Sequence, residues 1–121
     1  MKRKNALVTG ATGFIGANLV RRLIRDNFNV HIITHKVTDF WRLNEIEGQL
    51  KIYKTDYANK ESVRRIVEKT APSHVYHLAA YGNSHGQSDL SMMIDINIIN
   101  TTDLLTALQP INYELFVLMG S

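Results

Sequence analysis

Cysteine is absent from this 121-residue chain, so disulfides and thiol catalysis are excluded. Proline is nearly absent as well: the only two, Pro72 and Pro110, fall where helical patterns stop. No apolar run is long enough to span a bilayer, and the one after the basic start Met1-Lys2-Arg3-Lys4 is too short for a signal peptide. The expected setting is therefore cytoplasmic, with no membrane partner. The net charge of +3 has no dense cluster beyond those first residues. Zinc-finger spacing and RNA-binding aromatic motifs are missing, so no nucleic-acid partner is expected. A mild positive balance suits a small anionic ligand equally well. The histidines form no metal site: His74 and His77 would lie on opposite faces of a strand, and His31 and His85 lack an acidic partner at ligand spacing.

What is present begins with Thr9-Gly10-Ala11-Thr12-Gly13-Phe14-Ile15-Gly16, directly after the apolar run Ala6-Leu7-Val8. A strand, a glycine-rich turn and a helix start in that order receive a dinucleotide pyrophosphate. Gly10 permits the tight turn, Gly13 lets the backbone approach the phosphates, and Gly16 lets the helix pack closely on the sheet. Backbone N–H groups from Thr12 through Phe14 to Ile15 would face the anion at the positive helix end, with the Thr12 hydroxyl in reach. No Lys-Ser or Lys-Thr follows the glycines, which argues against a phosphate-loop nucleotidase.

The rest of the chain alternates strands with helices. Strands are expected at 5–9, 30–34, 50–54, 74–78 and 115–119. Helices are expected at 16–27, where Ala17, Val20, Leu23, Ile24 and Phe28 recur at helical spacing, at 59–70, and at 88–109. Residues 38–47 read as a short helix capped by Thr38 or Asp39 and ending at Gly48. The fold class that follows is α/β: a Rossmann-type doubly wound parallel sheet of about five strands, with helices on both faces. In the last helix Leu90, Ile94, Ile98, Thr101, Leu105 and Leu108 share one face, and Met93, Ile96 and Ile99 widen the apolar surface. A helix apolar on two sides needs two partners.

The chain resembles the extended short-chain dehydrogenase/reductase family, the NAD-dependent epimerase/dehydratase group that acts on nucleotide sugars. The likeness rests on Thr9 to Gly16, Asp56 after the third strand, His77-Leu78-Ala79-Ala80 after the fourth, Asn97 to Thr101 in the long helix, and Phe116 to Ser121. It implies that Asp56 holds the adenine amino group with the Tyr57 backbone beside it. It implies that Leu78, Ala79 and Ala80 lie against the cofactor ribose and that Asn97 steadies the active-site wall. It also implies that Ser121 is the catalytic hydroxyl that bonds the reacting sugar oxygen. Without the resemblance, Asp56 reads equally as a helix cap, Asn97 as a helix asparagine bonded to its own backbone, and His77 as a packed residue rather than a base. The polar stretch Tyr81-Gly82-Asn83-Ser84-His85-Gly86-Gln87 would border the sugar, with Asn83, Ser84 and Gln87 offering hydrogen bonds, or would be plain surface.

The cofactor form turns on the end of the second strand. A carboxylate there favours the free ribose of NAD, yet this chain has Thr34, His35 and Lys36. Those residues favour the 2′-phosphate of NADP, with Arg42 as a further candidate; NAD remains the alternative through Asp39 if the loop folds back. Enzymes of the resembled family also need a Tyr-x-x-x-Lys pair, whose lysine charge lowers the tyrosine pKa. No such pair occurs. Residues 1–121 are thus expected to be a partial NAD(P)-binding domain without the catalytic helix or the substrate lobe, inactive alone. Its parent would be a 4-keto reductase, epimerase or dehydratase of a nucleotide sugar, a homodimer through the long helix and a neighbouring helix. The alternatives are a non-catalytic NAD(P)-binding module or sensor, and a remnant with an empty glycine loop.

Overall fold

Ala6, Leu7 and Val8 have no measurable exposure although they are consecutive in sequence, because β1 (Asn5–Thr9) is the central strand of a sheet covered on both faces. The computed structural model describes residues 2–55, 59–81 and 86–120. The strands β2 (Asn29–Thr34), β3 (Leu50–Lys54), β4 (His74–His77) and β5 (Leu115–Leu118) complete a five-stranded sheet of order β3-β2-β1-β4-β5. Every pairing is parallel.

Side chains alternate across the sheet and sort the core into two layers. Ala6, Val8, Val30 and Ile32 pack against α1 (Phe14–Arg25) through Ala17, Val20 and Leu23. Leu7, Ile33 and Val75 pack against α2 (Lys60–Thr70) and α4 (Asn100–Leu108) through Val63, Val67, Leu104 and Leu108. The chain leaves β1 toward β2 on one side and reaches β4 on the other. The carboxyl ends of β1 and β4 therefore form the switch point where open α/β sheets bind ligands.

The expected elements are present, with boundary shifts and two corrections. The first concerns residues 38–47, which do not form a helix capped by Thr38 or Asp39. A turn leads instead into a 3-10 helix at Asn44–Gln49. The Asp39 carboxylate accepts from the Trp41 N–H at 3.0 Å, and Thr38 donates to the His35 carbonyl at 2.9 Å, so both side chains stabilise local turns.

The second concerns the long helix. It begins at Leu90, where Asp89 caps the Met92 N–H, and runs as α3 (Leu90–Ile94), a π-helical turn (Asp95–Ile99) and α4. The Asn100 N–H reaches back five residues to the Asp95 carbonyl. That wider turn shifts the phase of the apolar stripe. Leu104, Ala107 and Leu108 are buried, whereas Leu90, Ile94, Ile98 and Leu105 of the expected face are exposed. The helix is apolar on two sides as expected: one side packs into the layer beside the sheet through Leu104, Ala107 and Leu108, and the other, with Leu90, Ile94, Ile98 and Leu105, is exposed.

Candidate functional site

A cleft lies across the switch point, in two lobes that share Gly10, Gly13, Leu78, Ala79 and Ala80. The smaller, about 350 Å³, extends past Thr12 to Thr34, His35 and Thr38. The larger, about 780 Å³, extends past Phe14, Ile15 and Gly16 to Tyr81, Asn97, Thr101 and the end of β5 at Leu118–Gly120. No acidic residue is among the described residues lining either lobe.

The three glycines have different reasons to be glycine. At Gly10, φ is +70°, and a Cβ would stand 2.7 Å from the Ala79 nitrogen and the Leu78 carbonyl carbon. At Gly16 a Cβ would overlap the Gly10 carbonyl oxygen. Gly13 differs. Its φ of −76° and ψ of 174° suit any residue, and a Cβ would meet only the Gly10 oxygen at an ordinary 3.5 Å. The protein leaves room for a side chain at Gly13, so neither packing nor backbone conformation accounts for glycine there. Gly13 also opens α1, whose N-terminus has no side-chain cap. Its first N–H groups thus lack intrahelical partners and suit an anion. The glycine turn therefore fits a dinucleotide pyrophosphate.

Thr34 ends β2 at 3% exposure, and its Oγ1 is buried with no hydrogen-bond partner among the described residues. His35 is exposed at the cleft, whereas Lys36 is exposed outside the lining. Arg42 is committed elsewhere: its Nη1 donates to the Thr12 carbonyl at 3.1 Å and its guanidinium lies 4.4 Å from the Trp41 ring centroid. Asn97 does not bond its own backbone. Its Oδ1 accepts from the Tyr81 N–H at 2.9 Å and its Nδ2 donates to the Tyr81 carbonyl at 2.7 Å, bracing the cleft rim. Asp56, Tyr57, Asn83, Ser84 and Ser121 lie outside the described residues.

Sequence reasoning did not assign cleft-lining roles to Ala11, Ile33, Thr38, Ile96 or Thr101. The strand-end residue Ile33 and the helical Ile96 carry no local signal of a site. His77, read as packed, is 3% exposed and lies between Thr9 and Thr101, and burial pushes its pKa down to about 4. It is neutral at physiological pH.

A profile of the NAD dependent epimerase/dehydratase family matches residues 6–121. The chain belongs to this family. It is 32% identical to a UDP-glucuronate 4-epimerase of Thermodesulfobacterium geofontis, over 95% of this chain and 38% of that protein. It is 35% identical to a dTDP-glucose 4,6-dehydratase of Haemophilus influenzae, over 84% of this chain and 32% of that protein. Among solved structures it superposes on the Thermus thermophilus UDP-glucose 4-epimerase complex with NAD at a TM-score of 0.79. That match has 25% identity and covers 93% of this chain and 36% of that one. The chain thus spans about a third of the length of the family members it matches. The stretch it covers, the sheet with its glycine turn and cleft, is the family's NAD(P)-binding fold. Among the described residues no helix is long and apolar enough to cross a membrane, and no cluster of three or more His, Asp or Glu could hold a metal ion.

Proposed function

We propose that this chain is the cofactor-binding part of a nucleotide-sugar oxidoreductase, and that it takes NADP in preference to NAD. The observation that carries the cofactor reading is Gly13, bare where the protein itself has room for a side chain and placed at an uncapped helix N-terminus. The α1 N–H groups would hold the pyrophosphate, and Leu78, Ala79 and Ala80 would lie against the ribose. Asn97 would keep the Tyr81 rim in place. When bound, the cofactor supplies hydride transfer at a sugar carbon.

The preference for NADP rests on the end of β2. Thr34 and His35 stand where a carboxylate would select a free ribose. Asp39, the acid nearest in sequence, is engaged with the Trp41 N–H and does not line the cleft. Asp56 and Tyr57 would take the adenine, and Ser121 the reacting sugar oxygen. The Tyr-x-x-x-Lys pair and a substrate lobe would belong to a longer protein, a 4-keto reductase, epimerase or dehydratase. The relatives named above include an epimerase and a dehydratase, and their likeness is comparable. The exposed face of Leu90, Ile94, Ile98 and Leu105 would be covered by a neighbouring helix, in that longer protein or in a second copy.

Calorimetric titration of the chain with NADP and with NAD tests this. Binding of both, with NADP tighter, is expected, and no turnover of a nucleotide sugar by the chain alone. Binding of neither overturns the cofactor reading, tighter NAD overturns the preference, and measurable sugar reduction overturns the division of labour.

A further inference from the structure

Seven residues, Thr9, His77, Leu78, Ala79, Tyr81, Asn97 and Thr101, join in one hydrogen-bond chain beside the cleft, and its directions follow from donors and acceptors. Thr9 Oγ1, at the end of β1, accepts from the Ala79 N–H at 3.2 Å and shares the Leu78 N–H, 3.1 Å away, with the Thr9 carbonyl at 3.2 Å. With these N–H groups on its oxygen, the hydroxyl proton is directed to His77 Nδ1, 2.6 Å away. At the other end Thr101 Oγ1 donates to the Asn97 carbonyl at 3.0 Å, so toward His77 Nε2, at 2.8 Å, it accepts. Both ends require the same tautomer: Nδ1 bare, Nε2 protonated. Asn97, at the far end, grips both main-chain polar groups of Tyr81.

We propose that His77, held as the Nε2–H tautomer, is a positioning residue that fixes the helix wall of the cleft to the ends of β1 and β4. Thr9 ties together the two strand ends that Gly10 brings close. Thr101 and Asn97 lie at the π-helical turn and just after it, where the helix departs from regular geometry and needs an external tie. Among the described residues, His77 is the side chain that accepts from the first group and donates to the second. A phenylalanine of similar shape would fill the space and make neither bond. Burial opposes the imidazolium, which has no bare nitrogen and would lose the Thr9 bond.

The consequence for cofactor binding rests on the NAD(P) reading above; the tautomer and the rim do not. Nitrogen-15 NMR of the His77 ring in the full chain at neutral pH should show a protonated Nε2 and a bare Nδ1. A protonated Nδ1, a tautomer mixture or an imidazolium overturns the proposal without any variant. Thr101→Val should speed hydrogen exchange of the Tyr81 amide by roughly five-fold and weaken NADP binding by a similar factor, the worth of one net hydrogen bond. Thr101→Ser should restore both. Thr102→Val is the control: Thr102 donates to the Ile98 carbonyl at 2.9 Å, the same local helix bond without the histidine. Equal acceleration in Thr102→Val, or none in Thr101→Val, overturns the proposal. If the chain binds no NADP, the exchange and tautomer results still decide it.

Discussion

Arg42 donates its Nη1 to the main-chain carbonyl of Thr12 at 3.1 Å, across 30 residues of sequence. The Arg42 carbonyl in turn accepts from Arg21 Nη2 at 2.6 Å, and Arg21 projects from α1. The segment after β2 is thus clamped to both the glycine turn and the helix that opens from it. The guanidinium of Arg42 brings positive charge beside the Thr12 peptide while leaving the N–H side of the turn open.

Arg42→Ala should therefore weaken NADP binding by about ten-fold, at the lower end of what a hydrogen bond from a charged donor is worth. The fold should survive, because Arg42 is only half-buried. Arg42→Lys should recover little, since an ammonium cannot both reach the carbonyl and stack flat on Trp41. Titration calorimetry checks both variants, and parental affinity in Arg42→Ala would show that the clamp does not shape the turn.

The glycines predict opposite phenotypes for the same substitution. Gly13→Ala should fold with near-parental stability, since its Cβ makes only an ordinary 3.5 Å contact with the Gly10 oxygen, yet lose dinucleotide affinity by more than ten-fold because the methyl would stand where the phosphates approach. Gly16→Ala should lose roughly 1–3 kcal/mol of stability or more, because its Cβ meets the Gly10 carbonyl and the Ala11 backbone rather than a movable side chain. Denaturant unfolding and calorimetry on the two variants separate the roles. A destabilised Gly13→Ala with intact binding would mean that Gly13 serves packing instead.

How legible these features were in the sequence depended on how local their causes are. The glycine turn was legible because its three glycines lie within one strand-turn-helix unit, although Gly10 is also held to glycine by Leu78 and Ala79 after β4. The parallel sheet was legible from its alternation with helices. The two apolar sides of the last helix were legible, but which of them is buried was not: a π-helical turn lies between the exposed Leu90 and Ile94 and the buried Leu104, Ala107 and Leu108. No residue in Asp95-Ile96-Asn97-Ile98-Ile99 announces that turn. Residues 38–47 were misread because distant groups hold them, Arg21 and Thr12 on Arg42 and the Lys54 ammonium over the Phe40 ring. His77 is packed, as its sequence context suggests, but its two partners are 68 and 24 residues away and no local pattern pairs them.

Cofactor preference should follow His35. It is exposed at the cleft beyond Thr34, with Asp39 engaged elsewhere. His35→Asp should lower NADP affinity about ten-fold by placing like charge near the 2′-phosphate, and change NAD affinity far less. The ratio of the two dissociation constants is the readout. A ratio that does not move would place the adenosine ribose away from the end of β2.

Stability should fall on mild acidification, before the carboxylates titrate. Burial lowers the His77 pKa from 6.5 to about 4, and burial, with Lys51 and Lys69 nearby, lowers that of His31, whose Nε2 is buried with no partner among the described residues. A base with a depressed folded pKa stays neutral in the native state while the unfolded chain takes up the proton. Stability is therefore complete above about pH 6.5 and is lost as pH falls toward 4, with His77 alone contributing a loss of about 3 kcal/mol. Glu61 and Glu114, held below their usual 4.5 by Arg64 and Lys4, are exposed and begin to lose their contribution about a unit above that value. Denaturant unfolding between about pH 7 and 5.5 thus reads chiefly the histidines. In His77→Asn the slope over this interval should shrink, even though the variant starts less stable at neutral pH. A flat profile down to about pH 5.5 in the parent chain would mean that His77 is readily protonated where it sits, and the Thr9–His77–Thr101 connection would then not hold in solution.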